Sequence, residues 1–176
     1  MILRKINAVL GLFATVLLMG HAVSHGIWMI SRVSVIKMAE SAPWIMTGLV
    51  ALHAIISIIL AILGHKGAEK GDYKNYPQMN KATIIQRASG VLLILFIALH
   101  ILEAVGIIQP PPLVRTILPP IFFAVALMHT AISTSKAFIT LGIGSAAFIK
   151  TADLAVKVIC AATLIADIVG FFLYFG

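Results

Sequence analysis

The sequence has little charge and almost no cysteine. Charged residues make up 11% of its 176 residues, and six of them are Asp or Glu. An average soluble domain carries about 25% charged residues, so this chain has too few to cover a globular surface. The composition therefore excludes a soluble enzyme, a disordered tail and a nucleic-acid-binding module. The one cysteine, Cys160, allows neither a disulfide framework nor a thiolate-bound zinc or iron–sulfur cluster.

Apolar residues are abundant instead. They make up 61% of the chain, and the mean hydropathy is +1.08. They fall into five stretches, each with the ~20 residues needed to cross a ~30 Å hydrocarbon layer. We therefore predict an all-α membrane protein, a single domain whose five transmembrane helices form a bundle. No small-residue cleavage site follows the first stretch, so we expect it to be a retained helix and not a signal peptide. The predicted helices cover residues 6–30, 43–64, 82–108, 117–139 and 151–175.

Lysine and arginine predict the orientation of these helices. If the N-terminus is cytoplasmic and the C-terminus outside, nine of these residues face the cytoplasm and three face out, as the positive-inside rule requires. The net charge of +7 then reflects cytoplasmic loops, with no nucleic-acid partner. The nine are Arg4, Lys5, Lys66, Lys70, Lys74, Lys81, Arg87, Lys136 and Lys150, and the three are Arg32, Lys37 and Arg115.

Each of the first four predicted helices carries a histidine deep inside it. Ionisable residues within a membrane are costly, usually face the bundle interior and mark functional sites. One such residue is equally well explained as a hydrogen-bonded interior side chain, whereas four on four helices favour a cofactor. Paired histidines on facing helices hold haem iron or another metal. The four are His21, His53, His100 and His129.

Helical rise gives the depth of the two outer histidines. At 1.5 Å per residue, His21 lies about 24 Å beyond Lys5, and His100 lies about 20 Å beyond Arg87. Both are therefore near the outer face, which predicts that they form a pair. His25 lies one turn beyond His21 on the same face and is a competing ligand.

The remaining two histidines are left for an inner centre. His129 lies about 10 Å from Lys136, towards the inner face, and His53 lies near mid-membrane. Two stacked redox centres would form an electron path across the bilayer.

A zinc or proton transporter would place acidic residues at the same depth. The deep acids, Glu103 and Asp167, lie instead towards the outer end, which weakens that alternative.

The third predicted helix carries the most specific sequence block. Gln86-Arg87-Ala88-Ser89-Gly90, followed by His100-Ile101-Leu102-Glu103, resembles the third helix of cytochrome b subunits of succinate:quinone oxidoreductases. The resemblance is closest to the five-helix, two-haem type B subunits of succinate dehydrogenases and fumarate reductases, and it extends along essentially the whole chain. Further segments that resemble the family in the same order are Arg4–Gly11 continuing to Gly20–Val23, Leu52–Ala54, and His129–Ala131 continuing to Gly142-Ile143.

The resemblance implies two b haems, a distal one held by His21 and His100 and a proximal one held by His53 and His129. It implies a non-catalytic anchor subunit that carries electrons between quinone and a cytoplasmic iron–sulfur subunit, which is joined to a flavoprotein. Menaquinone is the quinone that fits this family best. The protein would act in the respiratory chain and the tricarboxylic acid cycle, in a bacterial or archaeal cytoplasmic membrane. We expect the partner subunits to dock on loop 66–81 and the N-terminus. The further expected cofactor contacts are Arg87, Ser89, Gly90, Glu103 and His25.

Several of these residues also have simpler explanations. Arg87 suits a haem propionate, but it equally suits positive-inside anchoring. Ser89 and Gly90 are small residues of the kind that pack closely in membrane helices. Glu103 is either an interfacial carboxylate or a proton acceptor for quinol. The sequence also departs from the family at Asn7, where the family has histidine, and at His25, which we therefore keep as a reserve ligand or propionate contact.

Two other function classes stay open on the sequence. One is a haem b membrane subunit of a different respiratory oxidoreductase, such as a relative of heterodisulfide reductase or formate dehydrogenase. The other is a small transporter or assembly protein whose histidines bind metal or protons without haem.

Overall fold

The computed structural model describes residues 2–31, 42–69 and 80–175, and within them all regular secondary structure is helical. Each of the five helices is long and apolar enough to cross a membrane. This confirms the predicted all-α fold with five membrane-spanning helices. The hydrophilic loop predicted at 66–81 falls largely outside the described residues. The helices are α1 (Ile2–Ser31), α2 (Ala42–Glu69), α3 (Lys81–Ala104), α4 (Pro112–Leu141) and α5 (Ala146–Phe175).

Helix α3 ends at Ala104 and not at the predicted residue 108, several residues before Pro110, Pro111 and Pro112. Gly106 follows with φ 76°, in the left-handed region that favours glycine. Its N–H donates to Glu103 O at 3.0 Å, and Ile107 N–H donates to Leu102 O at 2.9 Å. These bonds satisfy the last carbonyls of the helix, so a glycine cap ends it before the prolines are reached.

Helix α4 begins at Pro112, earlier than the predicted residue 117. Proline suits a first helical turn because the missing N–H has no partner there in any case, and Arg115 N–H already donates to Pro111 O at 3.1 Å. Pro119 and Pro120 therefore lie inside the helix and not at its start. Helix α5 also begins before residue 151, since the Ser145 hydroxyl accepts from Phe148 N–H at 3.2 Å and caps the first turn.

The helix packing defines a three-helix centre. Helix α1 packs against α2, α4 and α5, and α4 packs in addition against α3 and α5. Helices α1, α4 and α5 are therefore central, with α2 against α1 and α3 against α4. Sequential helices run in opposite directions, because Asn7 early in α1 contacts Ser57 late in α2, and Lys136 late in α4 contacts Thr83 early in α3.

We call the end of the bundle where α1, α3 and α5 begin the basic end, and the opposite end the far end. The described lysines and arginines lie predominantly at the basic end, in agreement with the charge asymmetry of the sequence. Which side of a membrane the basic end faces stays a prediction.

Candidate functional site

His53 of α2 is half-buried against α1. Its Nδ1 lies 3.1 Å from the backbone carbonyl oxygen of Asn7. Because a carbonyl only accepts, Nδ1 carries the proton and donates, and Nε2 is left as the nitrogen with the free lone pair. The Asn7 side chain is fixed in turn by Ser57, one turn beyond His53, with Asn7 Nδ2 donating to Ser57 Oγ at 3.0 Å.

Gly11 provides the space for this imidazole. It lies one turn beyond Asn7 on α1, and a Cβ built on it would stand 3.0 Å from His53 Cε1 and 3.3 Å from Nδ1. A larger residue at position 11 would therefore displace the ring. The carbonyl of Asn7 and the bare backbone of Gly11 together fix where the His53 ring lies.

His129 of α4 is held in the same way by α3. Its Nδ1 lies 3.0 Å from Ser89 Oγ, and the Ser89 hydroxyl donates its one hydrogen to Gln86 O at 3.0 Å. The hydroxyl must therefore accept from His129, so Nδ1 again carries the proton and Nε2 again holds the free lone pair. Ser89 is 3% exposed, which places this contact in the bundle interior.

Gly90 leaves room for the His129 ring as Gly11 does for His53. A Cβ at Gly90 would lie 3.2 Å from His129 Cε1. Gly90 was expected to pack closely or to make room for a haem face, and the structure shows that its space is used by the histidine itself. The rings of His53 and His129 also interact electrostatically with each other. The two histidines left for an inner centre therefore lie near enough for their charges to interact, and their pairing stays a prediction.

These two histidines have the form of metal ligands. A ligating imidazole normally donates its other N–H to a protein acceptor, which fixes the tautomer and the ring orientation. Among the residues that the structure describes, no three His, Cys, Asp or Glu side chains come together as a metal-binding group. A haem would need only two protein ligands, and His53 and His129 would be the residues to hold it. The residues therefore fit a bis-histidine haem.

The predicted outer pair is arranged differently. His21 is half-buried on α1, whereas His100 is exposed on α3, with its ring centroid 5.9 Å from that of Phe122. Neither α1 and α3, which carry this pair, nor α2 and α4, which carry the inner pair, are among the helices that pack extensively against each other in the described part of the chain. The pairing of His21 with His100 thus stays a prediction. The side chain of His25, the reserve ligand, lies outside what the structure describes.

A polar cluster that the sequence did not single out lies at the basic end beside His129. Lys136 Nζ donates to Gln86 Oε1 at 2.8 Å and to Thr83 Oγ1 at 3.1 Å, and Gln86 Nε2 donates to Ser133 Oγ at 2.9 Å. Arg87 is exposed and close enough to Lys136 for their charges to interact. The cluster ties α3 to α4 and leaves two cations near the inner histidine pair.

Glu103 lies at the far end in an ion pair. Its Oε1 is 3.4 Å from Nε of Arg115, and the two side chains are 37% and 52% exposed. The ion pair joins the end of α3 to the start of α4. Proximity along the chain, across the Gly-Pro-rich turn, is the signal that could have predicted this pairing.

Asp167 of α5 is completely buried, as its depth in the sequence suggested. Within the described residues, neither carboxylate oxygen has a hydrogen-bond partner. Gly26 of α1 faces it so closely that a Cβ there would stand 2.5 Å from Asp167 Oδ1. The Asp167 carboxylate therefore lies directly against the backbone of Gly26.

Comparison with known proteins gives no match for this chain, whether with protein-family models, with curated proteins or with solved structures.

Proposed function

We propose that this protein is the membrane-anchor cytochrome b subunit of a succinate dehydrogenase or fumarate reductase. It would carry electrons through two bis-histidine b haems between membrane quinone and a cytoplasmic iron–sulfur subunit. The observation that carries the proposal is the matched arrangement of His53 and His129. Each donates through Nδ1 to a protein acceptor, lies against a glycine and keeps Nε2 for a ligand.

The chain contributes position and environment, whereas the haem when bound supplies the one-electron chemistry. His53 and His129 would hold the haem nearer the basic end, with Asn7 and Ser89 fixing their tautomers. Hydrogen bonding to Nδ1 raises the basicity of a ligating imidazole and so tunes the cofactor.

The far-end haem would be held by His21 and His100. Glu103 lies one turn beyond His100, where it would meet quinol. Arg87 and Lys136, close to one another at the basic end, supply the positive charge that propionates require. The basic end is accordingly the side on which we place the iron–sulfur subunit and flavoprotein, in a bacterial or archaeal cytoplasmic membrane.

The decisive experiment is to extract the protein from its native membrane and count haem per chain. We expect two haems per chain and a sharp α band in the reduced-minus-oxidised spectrum. A colourless preparation would overturn the proposal in favour of a non-haem transporter or assembly protein.

Co-purification tests the choice of complex. We expect a flavoprotein and an iron–sulfur protein to accompany the chain, and succinate to reduce its haems. If haem is present but the partners carry another activity, such as that of a formate dehydrogenase, the chain serves a different respiratory oxidoreductase.

A further inference from the structure

The surface of α5 carries a charged groove close to the basic end. The groove has a volume of about 340 Å³ and is lined by five residues of this one helix. Two of them are lysines and one is an aspartate, so cations outnumber anions. The five are Lys150, Thr151, Asp153, Leu154 and Lys157.

The Lys157 ammonium lies nearer the basic end than its position in the sequence indicates. Lys157 lies about 10 Å further along the helix axis than Lys150. Its ammonium nevertheless turns back to Asp153 Oδ2, one turn nearer the basic end, at 2.5 Å. The hydroxyl of Ser135 on α4 donates to the same carboxylate and holds it in place. Lysine side chains in membrane helices turn towards the interface in this way.

The α5 surface that continues from the groove is apolar and open. Leu154, Val158 and Ile165 follow at helical spacing and are 64%, 59% and 64% exposed. In a membrane-spanning helix such a face lies against acyl chains. A headgroup site and an acyl-chain surface therefore adjoin each other on one side of α5.

We propose that this groove binds the phosphate of an anionic phospholipid through Lys150 and Lys157, with the acyl chains lying along Leu154 and Val158. Two ammonium groups opposite one carboxylate leave a net positive charge for the lipid phosphate. Basic pockets at the cytoplasmic side of membrane proteins bind anionic headgroups on this principle. The site is on the surface of α5, away from the histidines, and it does not depend on the haem proposal.

Native mass spectrometry of the detergent-extracted, delipidated protein tests the site. The probes are phosphatidylglycerol and phosphatidylcholine with identical acyl chains. For the double variant Lys150→Gln/Lys157→Gln we expect phosphatidylglycerol to bind about tenfold more weakly, which corresponds to about 1.4 kcal/mol, with phosphatidylcholine unchanged. A matched control, Lys66→Gln/Lys81→Gln, removes the same charge from the basic end on α2 and α3 and should change binding less than twofold.

The charge-preserving variant Lys150→Arg/Lys157→Arg should retain phosphatidylglycerol and shows that the chain has folded. Equal losses in the test and control variants would mean diffuse electrostatic attraction and would overturn the proposal. Equal binding of the two lipids by the unmodified protein would do the same. If inorganic phosphate displaces the lipid, the groove is a site for free anions, and the proposal of a lipid site is overturned.

Discussion

The two halves of the bundle differ in how their deep polar groups are satisfied. Towards the basic end, His53 and His129 each donate to an acceptor on a neighbouring helix. Towards the far end, His100 is exposed, and Asp167 is buried with no hydrogen-bond partner among the described residues. The chain alone thus fixes the two histidines in one half, whereas in the other half it buries the Asp167 carboxylate without a hydrogen-bond partner among the described residues.

This difference has a physical cost. A buried polar group without a partner costs about 1–3 kcal/mol, and more when it is charged. Such groups are rare in folded proteins and mark strain or a function. The basic-end histidines avoid this cost through second helices, so their geometry is available before any cofactor arrives. The structure therefore gives more support to the haem proposed near the basic end than to the haem proposed at the far end.

The largest effect is expected from removing one ligand in each half. His129→Ala should remove the haem proposed near the basic end and His100→Ala the haem proposed at the far end, because each variant takes away one of the two histidines that would hold that haem. We expect pyridine haemochrome analysis to give one haem per chain in each variant, with different midpoint potentials. His65→Ala, exposed at the end of α2, should keep both haems. Loss of both haems, or of neither, would contradict the pairing.

Removing the hydroxyl of Ser89 tests whether the basic-end site is preorganised. Ser89→Ala deletes the side-chain acceptor of His129 Nδ1 and leaves only the backbone of Gln86 as a partner of the ring, and loss of such a partner typically costs 10–100-fold in affinity. We expect the basic-end haem to dissociate that much more readily when apomyoglobin is added as a haem acceptor. Ser24→Ala is the control, since its hydroxyl bonds within its own helix to Gly20 O. Unchanged retention in Ser89→Ala would mean that Ser89 does not orient the ligand.

The helices and the candidate histidines were predictable from the sequence, but the contacts that hold the histidines in place were not. Hydropathy predicted the five helices, and His53 and His129 were paired because helical rise had already assigned His21 and His100 to the outer face. The roles of Gly11 and Asn7 were not predictable, because a backbone carbonyl and an absent Cβ have no pattern of their own in a sequence. The early end of α3 was missed because Gly106 caps the helix before the more conspicuous prolines.

Gly26→Ala tests the strain at Asp167 in the far half. The new Cβ would lie 2.5 Å from Asp167 Oδ1, so the buried carboxylate must rotate or α1 and α5 must move apart. Overpacking of this kind costs about 1–3 kcal/mol in the free energy of unfolding, measurable by denaturation in mixed micelles. Gly20→Ala on the same helix has nothing within 4 Å of its Cβ and should not be destabilised. Asp167→Ala should restore the stability of Gly26→Ala.

Gly11→Ala makes a similar but smaller change in the basic half. The Cβ would lie 3.0 Å from His53 Cε1, so the ring must shift by a few tenths of an ångström. We expect a shift in the midpoint potential of the basic-end haem and no change in that of the far-end haem. Gly20→Ala gains the same ~1 kcal/mol of helix propensity, and nothing outside its chain neighbours lies within 4 Å of its Cβ, so His53 is not displaced. Equal potentials in the two variants would show that the Gly11–His53 contact does not position the ligand.

The smallest effect on stability is expected from Glu103→Gln at the far end. Its ion pair with Arg115 is solvent-exposed, and such pairs contribute about 0–1 kcal/mol. We expect the free energy of unfolding to change by less than this, and the change to shrink as salt is added. A loss of several kcal/mol would mean that the pair is shielded from water and that the far half is held together as firmly as the basic half.

The same variant decides what the carboxylate of Glu103 does. Arg115→Gln breaks the identical ion pair but leaves the carboxylate in place, so the two variants separate structure from chemistry. If Glu103 accepts the proton of quinol, Glu103→Gln alone should lower kcat for quinol oxidation while both variants remain equally stable. If the two variants lose activity together, Glu103 acts only through Arg115, and the far half then contributes its histidines but no proton acceptor at this position.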